Sequence, residues 1–456
     1  MSRWLYTLVL RLALPFVLVV LAFKGWREPR RRMDLRARRG RALEPDARAP
    51  LWLHGASVGE VQSAAALIRL LRARHPSLPL LLTCGTATGL GRARLLYGDL
   101  LLPGESAMSP LTLRPAPFDL PGAVHRFLDA TAPRGLVLLE TELWPNLIAG
   151  AGERGLPLAM LSARVSERST QRYLRWAQYL MRETLQRMQL IGAQTVEDAR
   201  RFERLGAREG AVKVSGNLKF DFPLPADIEA RGAALRARHA PHRSLWVAGS
   251  THPGEEEQVS GAQRALLRRR SSTGLPASAV PLLVMAPRHP ERFAAVAQWL
   301  EGQGLRSQRR SALSGGQALS PDIDVLLLDT LGELLDWYAA SDIAFVGGSL
   351  VPIGGHNLLE PAALARPVLT GPHSFNSPEA ARLLEQADAL VRVKDAESLA
   401  RVVAELMGDP RHAKALGARA ALAVEANRGA ALRSLAALES LVPMSGGEVR
   451  PAASPR

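Results

Sequence analysis

Short apolar runs, each followed by a stretch with apolar residues at helical spacing, recur along this chain in two series, and that alternation restricts the fold more than any other feature. Leu51-Trp52-Leu53-His54 reads as a strand, and Val61, Ala65, Ile68 and Leu71 then mark one face of a helix. Leu78 to Thr83, Gly135 to Leu139, Leu156 to Leu161, Gln189 to Ala193 and Val212 to Val214 continue the strand series. Strands separated by amphipathic stretches are the pattern of βαβ units around a parallel sheet, so Pro50 to about Phe220 reads as one Rossmann-like half. Asp221-Phe222-Pro223-Leu224-Pro225 breaks both periodicities and reads as a linker. Leu245 to Ala248, Leu282 to Ala286, Val325 to Leu328, Ile343 to Val346 and Pro367 to Leu369 form the second strand series. Arg306 to Pro321 reads as a loose loop, Glu397 to Leu441 as mostly helical and the last dozen residues as a frayed tail. Two α/β domains of similar size are expected to face a cleft between the carboxyl ends of their sheets, where nucleotides and substrates bind.

Ahead of the first series, Trp4 to Phe23 are twenty residues, apolar except for Thr7, Arg11 and Pro15. A helix of that length reaches roughly 30 Å, the thickness of a bilayer core. The stretch lacks a small-x-small cleavage site and runs straight into cations, unlike a signal peptide. Between Lys24 and Arg41 lie nine basic residues against Glu28 and Asp34, nearly half of the formal excess of +15. That bias places the remainder of the chain on the cytoplasmic side. Arg11 is expensive inside a bilayer, so a spanning helix and a helix lying in the interface both stay open. The charge is too localised, and aromatics at 5% too few, for a nucleic-acid-binding face. With 47% hydrophobic residues the chain can bury sizeable cores, which excludes a disordered or fibrous protein. One cysteine, Cys84, excludes an internal disulfide and fits a reducing compartment.

Several stretches carry chemistry at the predicted strand ends. Ser57-Val58-Gly59-Glu60 has capping-box spacing, and a carboxylate at a helix N-terminus facing a cleft can also accept a hydroxyl proton. Glu140-Thr141-Glu142-Leu143-Trp144-Pro145-Asn146 brings two carboxylates out of a strand, with Glu142 alternatively opening the next helix and Pro145 suited to its first turn. Lys219, one of only five lysines, follows a strand beside the linker and can neutralise a phosphate or a developing negative charge, or simply lie on the surface. In the second series Gly249-Ser250-Thr251-His252 and Ala286-Pro287-Arg288-His289-Pro290 end strands with anion-binding residues. Asp329 to Leu334 turns from strand to helix. Phe345-Val346-Gly347-Gly348-Ser349-Leu350 and Gly354-Gly355-His356-Asn357-Leu358-Leu359-Glu360-Pro361 hold two glycine pairs that let backbone approach a ligand, and a helix beginning near Asn357 would aim its positive end at a phosphate. Tight packing is the competing role for those glycines. Walker, G-x-G-x-x-G and His-Glu-x-x-His patterns are missing, which disfavours ATPase, NAD and zinc chemistry. No metal is expected.

With these stretches in order, the chain closely resembles the bacterial 3-deoxy-D-manno-octulosonic acid (Kdo) transferases, GT-B glycosyltransferases of lipid A assembly. The likeness runs from the apolar segment to about residue 440 and is carried by His54 to Glu60, Glu140 to Asn146, Leu218 to Asp221, Ala286 to Phe293, Phe345 to Leu350 and Gly354 to Glu360. It departs from the family where Thr83-Cys84-Gly85-Thr86-Ala87-Thr88-Gly89 replaces Thr-x-Thr-x-Thr-Gly, and where Pro103 to Pro117 is longer than usual. The resemblance implies Glu60 as proton acceptor, Glu140 and Lys219 as transition-state stabilisers, and CMP contacts at Pro287, Arg288, Leu331, Gly332, Glu333, Asn357, Leu358, Leu359 and Glu360. Ser250, Gly347 and Gly348 are further candidate donor contacts. It implies a metal-independent, cofactor-free, inverting transfer of Kdo from CMP-Kdo to a lipid A precursor of the lipid IVA type, at the cytoplasmic face of the inner membrane. The expected organisation is an anchor over 1–25, a basic juxtamembrane segment over 26–49, an acceptor domain over 50–222, a linker over 223–240, a CMP-sugar domain over 241–442 and a tail over 443–456. The alternatives are a GT-B transferase or epimerase acting on another nucleotide sugar, and a non-catalytic membrane tether.

Overall fold

Residues 1–27, 34–41, 43–46, 48–101, 111–273, 280–314 and 316–444 are described by the structure, a computed structural model. The cationic run is therefore described only in part, with Arg30, Arg31 and Arg32 outside the described residues. The tail from 445 onward lies outside them as well.

The first unit comprises Met1–Pro223 and the segment from Asn427 onward. Its strands are β1 (Leu51–Gly55), β2 (Leu80–Cys84), β3 (Leu111–Pro115), β4 (Gly135–Leu139), β5 (Leu158–Ala163), β6 (Leu190–Ala193) and β7 (Val212–Val214). They form one sheet in the order β3-β2-β1-β4-β5-β6-β7, with every neighbouring pair parallel. Every residue of β1, β2, β4 and β5 is buried, as a sheet covered by helices on both faces requires. Helices start where the sequence offers caps: Thr86, Ser166 and Thr195 each accept an orphan amide at a helix entrance.

The second unit, Leu224–Ala426, repeats the architecture. Its strands are β8 (Leu245–Thr251), β9 (Leu282–Pro287), β10 (Ser307–Arg309), β11 (Val325–Leu327), β12 (Ile343–Val346), β13 (Val368–Thr370) and β14 (Leu390–Arg392). The order is β10-β11-β9-β8-β12-β13-β14, again all parallel.

Two boundaries differ from the sequence reading. The expected linker over 223–240 contains the helix Ile228–His239, which packs on Leu334–Ala340 of the second unit. Gly232 permits that approach, since a Cβ there would meet Ala339 at 2.6 Å. At the other end, the expected second domain runs to 442, but the helix Ala430–Glu439 returns to the first unit. Its Ala430, Ala431, Leu435 and Leu438 share a core with Leu51, Leu67 and Leu161. Asp221 ties the helix down by accepting the Gly429 amide at 2.6 Å and the Ala431 amide. An alanine-leucine helix carries no mark in its own sequence of which core it covers.

Three short edge strands went unread. The long Pro103 to Pro117 segment ends in β3, its residues 103–110 lying outside the described residues. Within the expected loop of Arg306 to Pro321 lie β10 and the 3-10 turn Arg310–Ala312. Each of β3, β10 and β14 is largely half-buried or exposed, so none shows the continuous apolar run by which the central strands were recognised.

Candidate active site

In a sheet of this order the chain reverses direction between β1 and β4, and ligands bind beyond the strand ends at such a point. Glu60 stands in the helix Val58–Ser63 that follows β1, and Glu140 immediately follows β4. The capping box foreseen from Ser57 is formed. The Ala56 and Ser57 amides donate to Glu60 Oε2, the latter at 3.3 Å, and the Ser57 hydroxyl donates to Oε1 at 2.8 Å. Glu60 is thereby fixed in one rotamer at the strand mouth, 8% exposed.

Glu140 is held in a left-handed backbone conformation, φ +56°, which a non-glycine residue adopts at a cost of order 1–3 kcal/mol. Its amide still donates to Leu161 O at 2.9 Å, and its side chain meets Lys219 Nζ at 2.5 Å and Arg164 Nε at 3.8 Å. The structure thus brings Glu140 and Lys219 into one ion pair.

Lys219 owes its place to buried polar groups that the sequence reading did not single out. It lies in the 3-10 turn Leu218–Asp221, whose entrance Asn217 caps by accepting the Lys219 amide at 2.9 Å. The Asn217 amide donates to Gln194 Oε1 at 3.1 Å, Gln194 donates to Ser162 O at 2.9 Å, and the Leu218 amide donates to Ser162 Oγ at 3.2 Å. Ser162, at a register shift in β5, is itself left-handed at φ +56°. All three side chains are buried, so the turn is set by a satisfied network and not by solvent.

Glu142, noticed in the sequence only as one of a carboxylate pair, belongs to the same cluster. Its Oε2 accepts Trp144 Nε1–H at 2.6 Å. Burial, reinforced by the charges of Glu60 and Glu140, pushes its carboxyl up to about 7. Trp144 in turn packs edge-on against His54, ring centroids 4.6 Å apart, and burial holds His54 neutral with its titration lowered to about 3. The i, i+2 spacing of Glu140 and Glu142 was the available signal for this second carboxylate.

In the second unit the reversal falls between β8 and β12. Ser250, left-handed at φ +59°, is the last residue but one of β8, and Gly347 and Gly348 follow β12. The two segments touch, since a Cβ on Gly347 would meet Ser250 O at 2.7 Å. The amides beyond are already engaged: Gly348, Ser349 and Leu350 donate at 2.6, 2.8 and 2.8 Å to the carboxylate of Glu255, which is fully buried and also accepts the His252 amide at 3.1 Å. The loop's glycines therefore serve close packing around an internal anion. His252 and His356 stack with their Nε2 atoms 2.8 Å apart, and His289 lies edge-on to His252. Burial and the nearby Arg288 cation push His356 down to about 4.

The remaining candidates sit at neighbouring strand ends. Pro287 closes β9 and is buried, while Arg288 is exposed with its amide bonded to Thr251 O at 3.0 Å. After β11, Leu331 is 75% exposed, Gly332 is left-handed at φ +88° with open space around it, and Glu333 pairs with Arg310 at 2.8 Å. Asn357 accepts the Leu359 amide at 3.1 Å and donates to Glu360 Oε1 at 3.1 Å. Leu358 and Leu359 are buried beneath them. The helix expected near Asn357 is only Leu359–Ala363, a little over one turn, so its dipole is small and side chains carry the polarity of this edge.

Residues 31–222 match the family described as 3-Deoxy-D-manno-octulosonic-acid transferase (kdotransferase). A 3-deoxy-D-manno-octulosonic acid transferase of Bordetella pertussis is 39% identical over 451 residues, covering 96% of this chain and 99% of its own. Another, from Haemophilus influenzae, is 35% identical over 438 residues, covering 95% and 97%. Among solved structures, a glycosyltransferase of Rickettsia africae ESF-5 aligns over 87% of this chain and 98% of its own with a TM-score of 0.52, and at 11% identity it shows a shared fold.

Proposed function

The chain belongs to the 3-deoxy-D-manno-octulosonic acid transferase family and is a glycosyltransferase; from that premise we propose that it transfers Kdo from CMP-Kdo to a hydroxyl of a lipid A precursor, with inversion and without a metal. The observation that carries the reading is the cluster at the first reversal point: a rotamer-locked Glu60 and a strained Glu140 paired with Lys219, both near enough to Glu142 for their charges to raise its carboxyl. Glu60 takes the proton of the acceptor hydroxyl as its oxygen attacks the anomeric carbon. The bond from that carbon to the phosphate oxygen breaks in the same displacement, and CMP leaves with the electron pair. A single displacement inverts the centre.

Lys219 offsets the negative charge that develops as the phosphate departs, and Glu140 fixes the ammonium for that task. The capping box keeps Glu60 from rotating away between turnovers, so capping and proton transfer are two uses of one geometry. In the second unit Arg288 neutralises the cytidylate phosphate, with Pro287, the Leu331–Glu333 turn and Asn357 to Glu360 holding the nucleotide. The acceptor lies in the inner membrane, on the face where the cationic run stands.

Incubating the full chain with CMP-Kdo and a lipid A precursor, followed by mass spectrometry of the lipid, tests the reading. A mass gain of Kdo units with release of CMP supports it. Competition by UDP but not by CMP would transfer the site to another class of nucleotide sugar.

A further inference from the structure

We propose that the N-terminal helix lies in the plane of the membrane surface, clamped to the first unit at its amino end, and does not cross the bilayer. The helix Arg3–Arg27 is apolar and long enough to span by composition, about 37 Å at 1.5 Å per residue. If it crossed with the cationic run on the same side as the folded units, its first turn would emerge on the opposite face, roughly 30 Å away. That turn is instead bonded to the folded unit. Tyr6 donates its hydroxyl to Asp119 Oδ2 at 2.8 Å, Thr7 Oγ1 lies 3.0 Å from Asn146 Oδ1, and Arg3 pairs with Glu153 at 3.0 Å. Both ends of the helix are thus on one side.

Detachment would be costly, because Asn146 is 3% exposed and Thr7 8% exposed. Lifting the helix would take the Thr7 hydroxyl from Asn146 Oδ1 and the Tyr6 hydroxyl from Asp119 Oδ2. The rest of the helix is two-faced. Arg3, Tyr6, Leu10, Ala13, Leu14, Leu18 and Leu21 are half-buried at helical spacing. Trp4, Leu8, Leu12, Phe16, Val19 and Phe23 form the opposite stripe, all exposed, with Trp4, Leu12 and Phe16 at 73%. Arg11, exposed, falls between the stripes, where its guanidinium reaches headgroups and needs no mid-bilayer burial. The Met1 amine bonds Trp176 O at 3.2 Å, which sets the exposed Trp176 and its stacked Arg175 beside the helix. Aromatic rings under cations suit the anionic interface of a bilayer.

Asn146 belongs to the segment that carries Glu140 and Glu142, so the clamp fixes the catalytic cluster at the height of the lipid headgroups. The identity of the surface rests on the lipid acceptor proposed above; the topology readouts below need no transfer and fail independently of it. In a Gram-negative host, full-length protein bearing Ser2→Cys is treated with a membrane-impermeant maleimide, the native Cys84 being buried. Labelling is expected in inverted membrane vesicles and not in intact spheroplasts, and labelling from outside spheroplasts overturns the proposal. In the same membranes an Arg3→Cys, Glu153→Cys pair is expected to be joined by a short bismaleimide in most molecules. Failure to cross-link would equally overturn it.

Discussion

The first unit leaves carboxylates and an ammonium side by side at the ends of β1 and β4, whereas the second unit, at the ends of β8 and β12, ties its loop amides to a carboxylate of its own. Both points come from the same doubly wound arrangement of seven parallel strands. In the first, strain at Glu140 and Ser162 is spent on aiming charged side chains. In the second, the left-handed Ser250 and the glycines serve close packing, with the exposed Arg288 bonded by its amide to Thr251 O beside them. The contrast gathers paired charges in one unit and an internally bonded carboxylate in the other, and shows that glycine pairs at a strand end do not by themselves make an anion site.

That contrast can be broken most directly at Glu60. Glutamine preserves the capping-box acceptor, so Glu60→Gln is expected to melt as the parent does while transfer falls about 10³-fold, the range for removing a general base. Parallel thermal melts and lipid product assays separate the two roles, and a stable variant with near-native turnover would refute the base assignment. In the second unit the largest effect should be on folding. Glu255→Ala strands three loop amides and is expected to cost about 3 kcal/mol, read by denaturant titration. Lys219→Ala should lower kcat about 100-fold with little change in melting, and arginine should restore part of it if charge is what matters.

Glu142 offers the finest adjustment. Because its ionised form is disfavoured in the folded state, stability should decline as pH rises from the ordinary glutamate value of 4.5 through about 7 and stay reduced above that. Glu142→Gln should therefore match the parent at pH 4 and exceed it by about 1 kcal/mol at pH 8, a figure discounted for partial exposure. Equal melting curves at both pH values would remove Glu142 from the cluster.

The central strands were legible because burial on both faces forces unbroken apolar runs, as in Leu136 to Leu139. Of the four edge strands only β7, with its Val212 and Val214, was legible; β3, β10 and β14 were not, since half-exposed residues such as Arg114 and Gln308 carry no such constraint. Ser57 and Glu60 announced their capping box by spacing alone. The Ser162, Gln194 and Asn217 network could not be read, because its members come from three separate strand ends and meet only after the sheet is assembled. Glu255 hid in a run of three glutamates at a helix start, where an exposed dipole-matching role is the usual expectation.

The tie between Asp221 and the returning helix Ala430–Glu439 bears on how the chain is made. The second unit is one continuous stretch and can fold as soon as the ribosome delivers it, but the first must wait for its closing piece, which is synthesised after nearly everything else. Asn217 and Ser162 hold the turn bearing Lys219 from within the strands already made, but Asp221 gains its two amide partners only when that piece docks, so a nascent or truncated chain would lack the last restraint on the turn.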